Sequence, residues 1–359
     1  MASAGTPSRS RSSRYSLAVV AYVSGHGLGH SAREVTVLRD LPPEIPLFVK
    51  TAAPEWFWRA EVKRPFTLLP ESFDVGCLQT DSMTVDIAAT RAAWEGQNQR
   101  NEARRADEIA WLRSVNARLV LTDVASFPLT LGLPSVCVAN FTWADIYTEY
   151  AGFEGIVAQL EAEYAQATLL LEAGLALPMP YFPRRESVGL VARVGKNRII
   201  PPARRGPGSR AALIYAGSWG MPFPWASLER FVGWTFYTLT PPPRPWPGNL
   251  IVLSRDTLPH EDLVASVDCV ISKAGYGLVG ECMAAGTPLL YGPREGFAEF
   301  AALDAALQGW DGGMRLESGA FLSAQWPLEG IPTKGSVSRL PTPGAAATIV
   351  ALVKLWSTD

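Results

Sequence analysis

One pattern, repeated along the chain, narrows its possible folds: a short apolar run, a glycine or polar turn, and then a helical stretch. The apolar runs are LAVVAYV, ARLVLTD, SVCVAN, AALIYAG, NLIVLS, SVDCVIS and PLLYG. They do not alternate apolar with polar residues, which indicates strands buried on both faces. Strands of that kind are typical of parallel sheets with helices on either side. The sequence therefore predicts an α/β protein.

The pattern occurs twice, and residues 178–210 between the halves, the region of LPMPYFP and IIPPARRGPGSR, lack periodicity and indicate loop or linker. A chain of 359 residues also exceeds the roughly 250–300 residues at which a single core stops growing. In the second half, SWGMPFPWASLERFVGWTF is interpreted as the helical stretch that follows AALIYAG. The predicted organisation is a disordered leader (1–14), a first domain (15–190), a linker (191–210), a second domain (211–340) and a C-terminal helix (341–359).

Composition excludes several classes of protein. The net charge of −2 argues against a dedicated nucleic-acid binder, which usually carries a basic face. No apolar stretch approaches the roughly 20 residues of a membrane span. Among the four cysteines, Cys137 and Cys269 lie in apolar runs and are expected to be buried thiols in a reducing compartment. We therefore expect a cytoplasmic protein. The charged run NEARRADE (101–108) is interpreted as a solvated helix face.

A glycine turn in the second half carries the clearest chemical signal. SVDCVISKAGYGLVGECMAAGTPLLYG predicts strand, glycine turn, helix and strand, with Gly286 ending the helix in the left-handed conformation. Gly275 and Gly277 would let the backbone approach a ligand, and the helix N-terminus behind them suits a diphosphate. Glu281, one helical turn past Gly277, could accept two hydrogen bonds from a vicinal diol such as a ribose. The alternative is an ordinary turn with a solvent-exposed glutamate.

A second glycine turn, VSGHGLGHSAR, follows the first predicted strand. Its glycines are Gly25, Gly27 and Gly29. The turn could be a phosphate cradle, a metal site, a catalytic base or only a tight turn. A metal would need a third ligand, and nothing in its spacing recommends His260, so no metal is predicted. His26 is predicted to be a general base with a pKa near neutrality, the alternative being a hydrogen bond within the turn. His30 is expected to make a structural hydrogen bond.

Aromatic residues are concentrated in NFTWADIYTEYAGF. The favoured interpretation is a helix start whose aromatic side chains, Phe141, Trp143 and Tyr147, lie in the core. The alternative is an acceptor wall in which Trp143 stacks on a sugar ring.

The stretches GHGLGHSAR, LTDVASFP, LPSVCVANFTWADIYTEY and KAGYGLVGECMAAGTPLLYGPREGFAEF resemble a known family. They are similar to the glycosyltransferase-like domain that precedes the sugar kinase in plant L-arabinokinases, and to its stand-alone bacterial relatives. More distantly, they resemble inverting GT-B glycosyltransferases such as the peptidoglycan N-acetylglucosaminyltransferase group (family 28). The resemblance covers most of residues 17–305. No galactokinase-like domain follows, so sugar phosphorylation is not implied.

The resemblance implies a GT-B fold, in which two Rossmann-like domains face a cleft and the second domain holds a nucleotide sugar. It implies phosphate contacts at the KAGYG turn, a ribose contact at Glu281, a sugar-hydroxyl contact at Glu299 and an acceptor-side base at His26. Where relatives carry an acid directly after the NFTW tryptophan, this chain has Ala144, which puts a catalytic role for Asp145 in doubt. The predicted substrate-binding residues are Gly25, Gly27, Gly29, His30, Gly217, Ser218, Lys273, Gly275, Tyr276, Gly277, Glu281 and Glu299.

We therefore expect an inverting glycosyltransferase that moves a sugar from a nucleotide-diphosphate sugar to a hydroxyl on a small-molecule or lipid-linked acceptor. The chain lacks the Asp-x-Asp pair that many metal-dependent transferases use, so we expect neither a metal nor a cofactor. Two alternatives stay open at this point. One is an epimerase or hydrolase of nucleotide sugars, and the other is a non-catalytic protein that binds them.

Overall fold

A computed structural model describes residues 17–80, 84–201, 209–215, 223–294 and 296–358. The predicted leader at 1–14 and the predicted binding residues Gly217 and Ser218 lie outside the described residues.

The first domain is built on a seven-stranded parallel sheet in the order β3-β2-β1-β4-β5-β6-β7. Its strands are β1 (Ala18–Tyr22), β2 (Leu47–Lys50), β3 (Thr67–Leu69), β4 (Ala117–Thr122), β5 (Ser135–Ala139), β6 (Leu169–Ala173) and β7 (Arg185–Gly189). Its helices are α1 (Leu28–Leu38), α2 (Glu55–Glu61), α3 (Ile87–Ser114), α4 (Trp143–Tyr147) and α5 (Glu154–Tyr164). The central strand β1 is buried along its whole length, as its uninterrupted apolar run predicts.

The second domain is built on a six-stranded parallel sheet in the order β10-β9-β8-β11-β12-β13. Its strands are β8 (Arg210–Tyr215), β9 (Trp234–Thr238), β10 (Leu250–Val252), β11 (Cys269–Lys273), β12 (Leu289–Gly292) and β13 (Gly313–Arg315). Its helices are α6 (His260–Ser266), α7 (Tyr276–Ala285), α8 (Glu299–Gln308) and α9 (Ser318–Leu322). The predicted fold class, two doubly wound α/β domains, is confirmed.

The last helix, α10 (Gly344–Ser357), packs on the first domain, against α1, β4 and β7. The indole Nε1 of Trp356 donates a hydrogen bond of 2.9 Å to the carbonyl of Leu17, just before β1. The chain therefore passes from the first domain to the second and then returns.

Two parts of the sequence were interpreted wrongly. The described part of SWGMPFPWASLERFVGWTF, residues 223–236, holds a short 3-10 helix (Trp225–Arg230) and the start of β9, because the aromatic, β-branched run WTFYT favours a strand. Residues 185–189, which fall in the stretch assigned to loop or linker, form β7. This edge strand is largely exposed and polar (RESVG), so it lacks the apolar run that marks the others.

Both predicted buried thiols, Cys137 and Cys269, are buried and free, as are the other two cysteines. Within the described ranges, no helix combines the length and the apolar character needed to cross a membrane. At Gly286, φ is 63° and ψ is 36°, which confirms the predicted left-handed end of α7.

A buried ion pair joins α3 to the first sheet. Glu108 is only 4% exposed, so the end of NEARRADE is not solvated as predicted. Its carboxylate accepts a hydrogen bond of 2.8 Å from Lys50 Nζ and another from the hydroxyl of Tyr22. The Lys50 ammonium also lies 3.8 Å from the centroid of the Trp111 ring. This pair fixes α3 against the ends of β1 and β2.

Replacing Glu108 with Ala should lower the free energy of unfolding by about 3–5 kcal/mol, because it leaves the Lys50 ammonium buried without its main partner. The double variant Lys50→Met/Glu108→Leu should recover much of that loss. Chemical denaturation would measure both. The control is Glu102→Ala on the same helix, which removes the exposed pair with Arg105 and should cost at most about 1 kcal/mol. Equal losses in Glu108→Ala and Glu102→Ala would contradict the account.

Candidate active site

A cleft of about 1080 Å³ lies between the two domains. In doubly wound folds, ligands bind beyond the carboxyl ends of the strands, and here the cleft is lined by residues that follow β1, β2, β5, β11 and β12. Its volume suits a ligand of the size of a nucleotide sugar. The structure brings together in this cleft every described residue of the predicted site: Gly25, His26, Gly27, Gly29, His30, Lys273, Gly275, Tyr276, Gly277, Glu281 and Glu299.

His26 lies in the turn between β1 and α1 and is held tightly. A Cβ on Gly76, whose φ is +72°, would lie 2.5 Å from the His26 ring, so only glycine fits there. The Trp143 indole packs perpendicular to the ring at 5.3 Å. Burial, followed by the nearby His30, Arg294 and Lys273, lowers the pKa of His26 to about 3. The expected pKa near neutrality is therefore wrong, and His26 is a weak base in this setting.

His30, on the first turn of α1, forms a histidine–carboxylate pair with Asp123. Its Nδ1 lies 2.6 Å from Asp123 Oδ2, and its side chain is 8% exposed. The other oxygen, Oδ1, accepts hydrogen bonds from the backbone N–H groups of Ser24 (3.0 Å) and Val124 (2.7 Å). Burial alone would raise the pKa of Asp123, but His30, Arg33 and the Ser24 N–H lower it below its ordinary value. Asp123 is thus held as a carboxylate.

Because Asp123 contacts Nδ1, Nε2 is the ring nitrogen that His30 has available for the cleft. Sequence reasoning gave His30 a structural hydrogen bond and did not identify Asp123. The one signal for Asp123 was an acid placed directly after a buried strand in LVLTD.

Trp143 lies in the core, as the favoured interpretation predicted, and it also contacts residues of the site. Its indole Nε1 donates to Asp74 Oδ2 at 2.8 Å, and its ring lies 5.6 Å from that of His30. Asp145, whose catalytic role was in doubt, caps α4 and accepts hydrogen bonds from the Thr142 N–H (2.7 Å) and the Tyr181 hydroxyl (2.8 Å). Asp145 therefore stabilises the local backbone.

The opposite wall of the cleft is the turn between β11 and α7. A Cβ at Gly275 or Gly277 would meet nothing within 4 Å, so the first turn of α7 is open to the cleft. N–H groups at a helix start have no acceptor within the helix and attract anions. Burial and the nearby Arg294 lower the pKa of Lys273 to about 8. Two cationic side chains thus lie beside the start of α7.

Glu281 lines the cleft but is only 3% exposed, which contradicts the alternative of a solvent-exposed glutamate. Its Oε1 accepts from Arg193 Nε (2.8 Å) and Nη2 (2.6 Å), and its Oε2 lies 2.7 Å from His260 Nδ1. Burial alone would raise the pKa of Glu281, but Arg193 and His260 lower it to about 2. A carboxylate has about four acceptor positions, so one remains for a ligand, not the two that a vicinal diol would use.

Arg193 joins the two domains. From the linker it contacts Glu281 and Glu261 (3.1 Å) in the second domain and Glu61 on α2 (3.2 Å) in the first. It is 5% exposed. The linker lies close against α7, since a Cβ on Gly280 would be 2.8 Å from the Cβ of Ala192.

A second polar bridge crosses the cleft at Glu299. The side-chain amide of Asn140 donates to Glu299 Oε1 at 2.9 Å, and its carbonyl oxygen accepts from Arg33 Nη1 at 2.7 Å. Glu299 is therefore connected to the α1 wall, close to the His30–Asp123 pair. Among the described residues, no group of three or more His, Cys, Asp or Glu side chains could hold a metal ion.

No family model matches the chain. It is 31% identical over 326 residues to the L-arabinokinase of Arabidopsis thaliana, an alignment covering 85% of this chain and 31% of that protein. The chain thus spans about a third of the length of this curated relative.

Solved glycosyltransferases share the fold. A Polygonum tinctorium UDP-glucosyltransferase that glucosylates indoxyl matches with a TM-score of 0.66 and 14% identity, covering 96% of this chain and 99% of that chain. The glycosyltransferase SnogD from Streptomyces nogalater matches with a TM-score of 0.60 and 17% identity, covering 95% of this chain and 100% of that chain. The chain therefore has the two-domain fold of GT-B glycosyltransferases and is a homologue of a region that makes up about a third of a plant L-arabinokinase.

Proposed function

We propose that the chain is an inverting glycosyltransferase that moves a sugar from a nucleotide-diphosphate sugar to an acceptor hydroxyl without a metal. The observation that carries this proposal is the pairing of His30 with Asp123 across the cleft from the start of α7. Two solved structures of similar fold support it, a UDP-glucosyltransferase and a glycosyltransferase in complex with DTDP.

The second domain would hold the donor diphosphate. The N–H groups at the start of α7 and the cations Lys273 and Arg294 supply positive charge where the leaving group gains negative charge. These groups are part of the fold and need no reorganisation during the reaction. They take the part that a divalent ion plays in metal-dependent transferases.

The first domain would supply the base. Nε2 of His30 removes the proton of the acceptor hydroxyl as that oxygen attacks the anomeric carbon, and the Asp123 carboxylate stabilises the imidazolium that forms. Among the described residues, no carboxylate is paired with the His26 ring, and burial lowers its pKa to about 3, so His26 is a weak base. The base assignment therefore moves from His26 to His30. A base and a leaving-group site on opposite walls favour a single displacement, which inverts the anomeric carbon.

A protein that only binds nucleotide sugars would have no use for a histidine–carboxylate pair on the wall opposite the diphosphate. This pair favours a transferase over a non-catalytic binding protein.

Replacing His30 with Ala should lower turnover by about 10²–10⁴-fold, the usual contribution of a general base. His26→Ala is the matched control in the same turn, and its loss of turnover should be less than about tenfold, since His26 is a weak base. Initial rates of sugar transfer would measure both, with melting temperatures to check folding. Nucleoside diphosphate affinity should change little in either variant. A large loss in His26→Ala with near-normal turnover in His30→Ala would return the base to His26.

Transfer should persist in excess chelator, because Lys273, Arg294 and the start of α7 stabilise the leaving group. Initial rates measured with and without EDTA would test this. Complete loss of turnover in EDTA, restored by magnesium or manganese, would refute the metal-independent account.

The glycosidic bond of the product should have the anomeric configuration opposite to that of the donor. The proton NMR coupling between H1 and H2 of the transferred sugar would report it for sugars with an axial H2. Retention of configuration would rule out a single displacement driven by His30.

A further inference from the structure

Trp56 stands out as a large apolar side chain exposed inside the cleft. It is 48% exposed, whereas its neighbours Phe57 and Trp58 are buried. It lies on α2 of the first domain and lines the cleft together with residues of the second domain. Scattered exposed hydrophobic residues are normal on an outer surface, but an exposed tryptophan in a concave site offers area to a ligand.

Arg255, from the other domain, approaches this ring. Its guanidinium carbon lies 5.3 Å from the centroid of the Trp56 ring, within cation–π distance. Arg255 belongs to the segment between β10 and α6, and it also lines the cleft. The two domains therefore meet here through a planar cation and an aromatic ring, both of which stack on flat ligands.

A series of contacts places this pair beyond the diphosphate position. Glu281 lies further along α7 than the glycine turn and contacts His260 at the start of α6. The His260 ring packs on Tyr215 at 4.6 Å. On the other side, Phe57 lies 5.8 Å from the Trp56 ring and 6.0 Å from the Arg193 guanidinium that holds Glu281. A nucleoside extending from the start of α7 past Glu281 would bring its base to Trp56 and Arg255.

We propose that Trp56 and Arg255 together bind the nucleobase of the donor, so that both domains hold the nucleotide. This inference rests on the proposed function, because it takes the diphosphate to lie at the start of α7. The base would cover the exposed part of the Trp56 ring and stack on the aromatic–guanidinium pair. Stacking depends on the flat face that every base has, so the pair should favour nucleotides without strongly choosing among bases.

Calorimetric titration with UDP, GDP, ADP and CDP, and with inorganic pyrophosphate as a probe that lacks a base, would test the proposal. Trp56→Ala should weaken binding of the nucleoside diphosphates roughly tenfold or more, the usual effect of removing a stacking partner. Its affinity for pyrophosphate should stay unchanged. Trp56→Phe should retain most of the nucleotide affinity, because it keeps an aromatic face.

The matched control is Trp246→Ala. Trp246 also has an arginine over its ring, Arg244 at 4.3 Å, but it is not a cleft residue. Nucleotide affinity should be unchanged in this variant.

Wild-type nucleotide affinity in Trp56→Ala, or equal losses for nucleotides and pyrophosphate, would overturn the assignment while leaving the proposed function intact. A wild-type protein that binds none of the nucleoside diphosphates would overturn the proposed function and, with it, this inference.

Discussion

The cleft depends on one buried guanidinium. Arg193 lies between carboxylates of both domains, and a charge so deeply buried is tolerated only when it is paired. The contact with Glu61 fixes the position of α2 relative to Arg193, and the contact with Glu281 does the same for α7. The distance between the two walls of the cleft follows from these contacts. Because α2 carries Trp56 and α7 begins at the glycine turn, Arg193 also fixes the two ends of the proposed nucleotide site relative to each other.

Charge is divided between the two walls. The first domain presents His30 with the Asp123 carboxylate at its Nδ1, and the second presents Lys273, Arg294 and a helix start. In the proposed transfer, positive charge develops on the histidine and negative charge on the diphosphate. Each wall therefore carries groups of the opposite charge that stabilise the charge forming there. The Asn140–Glu299 hydrogen bond joins the walls beside this point. A displacement of one wall would therefore disturb both halves of the chemistry.

Much of the fold could be predicted because its signals lie in short, continuous stretches of the sequence. The uninterrupted apolar runs identified most strands, and the glycine turn and Gly286 identified the start and end of α7. What could not be predicted depends on residues far apart in sequence. Nothing near His30 reveals that Asp123 lies against it, and nothing near Glu281 reveals Arg193. His30 meets Asp123 because β1 and β4 are parallel neighbours whose carboxyl ends lie together. Arg193 meets Glu281 because the linker packs against α7. Polar β7 was missed for the opposite reason, since its position at the sheet edge removes the apolar signal.

The return of α10 to the first domain has a consequence for how the chain folds during synthesis. A domain emerging from the ribosome usually folds as a unit before the next one is made. Here the first domain lacks a helix that packs on α1, β4 and β7 until the whole second domain has been translated. Until then, the apolar surface that α10 covers has no partner helix from this chain. The second domain is in effect an insertion within the first, and the hydrogen bond between Trp356 and Leu17 forms only after the second domain has been translated.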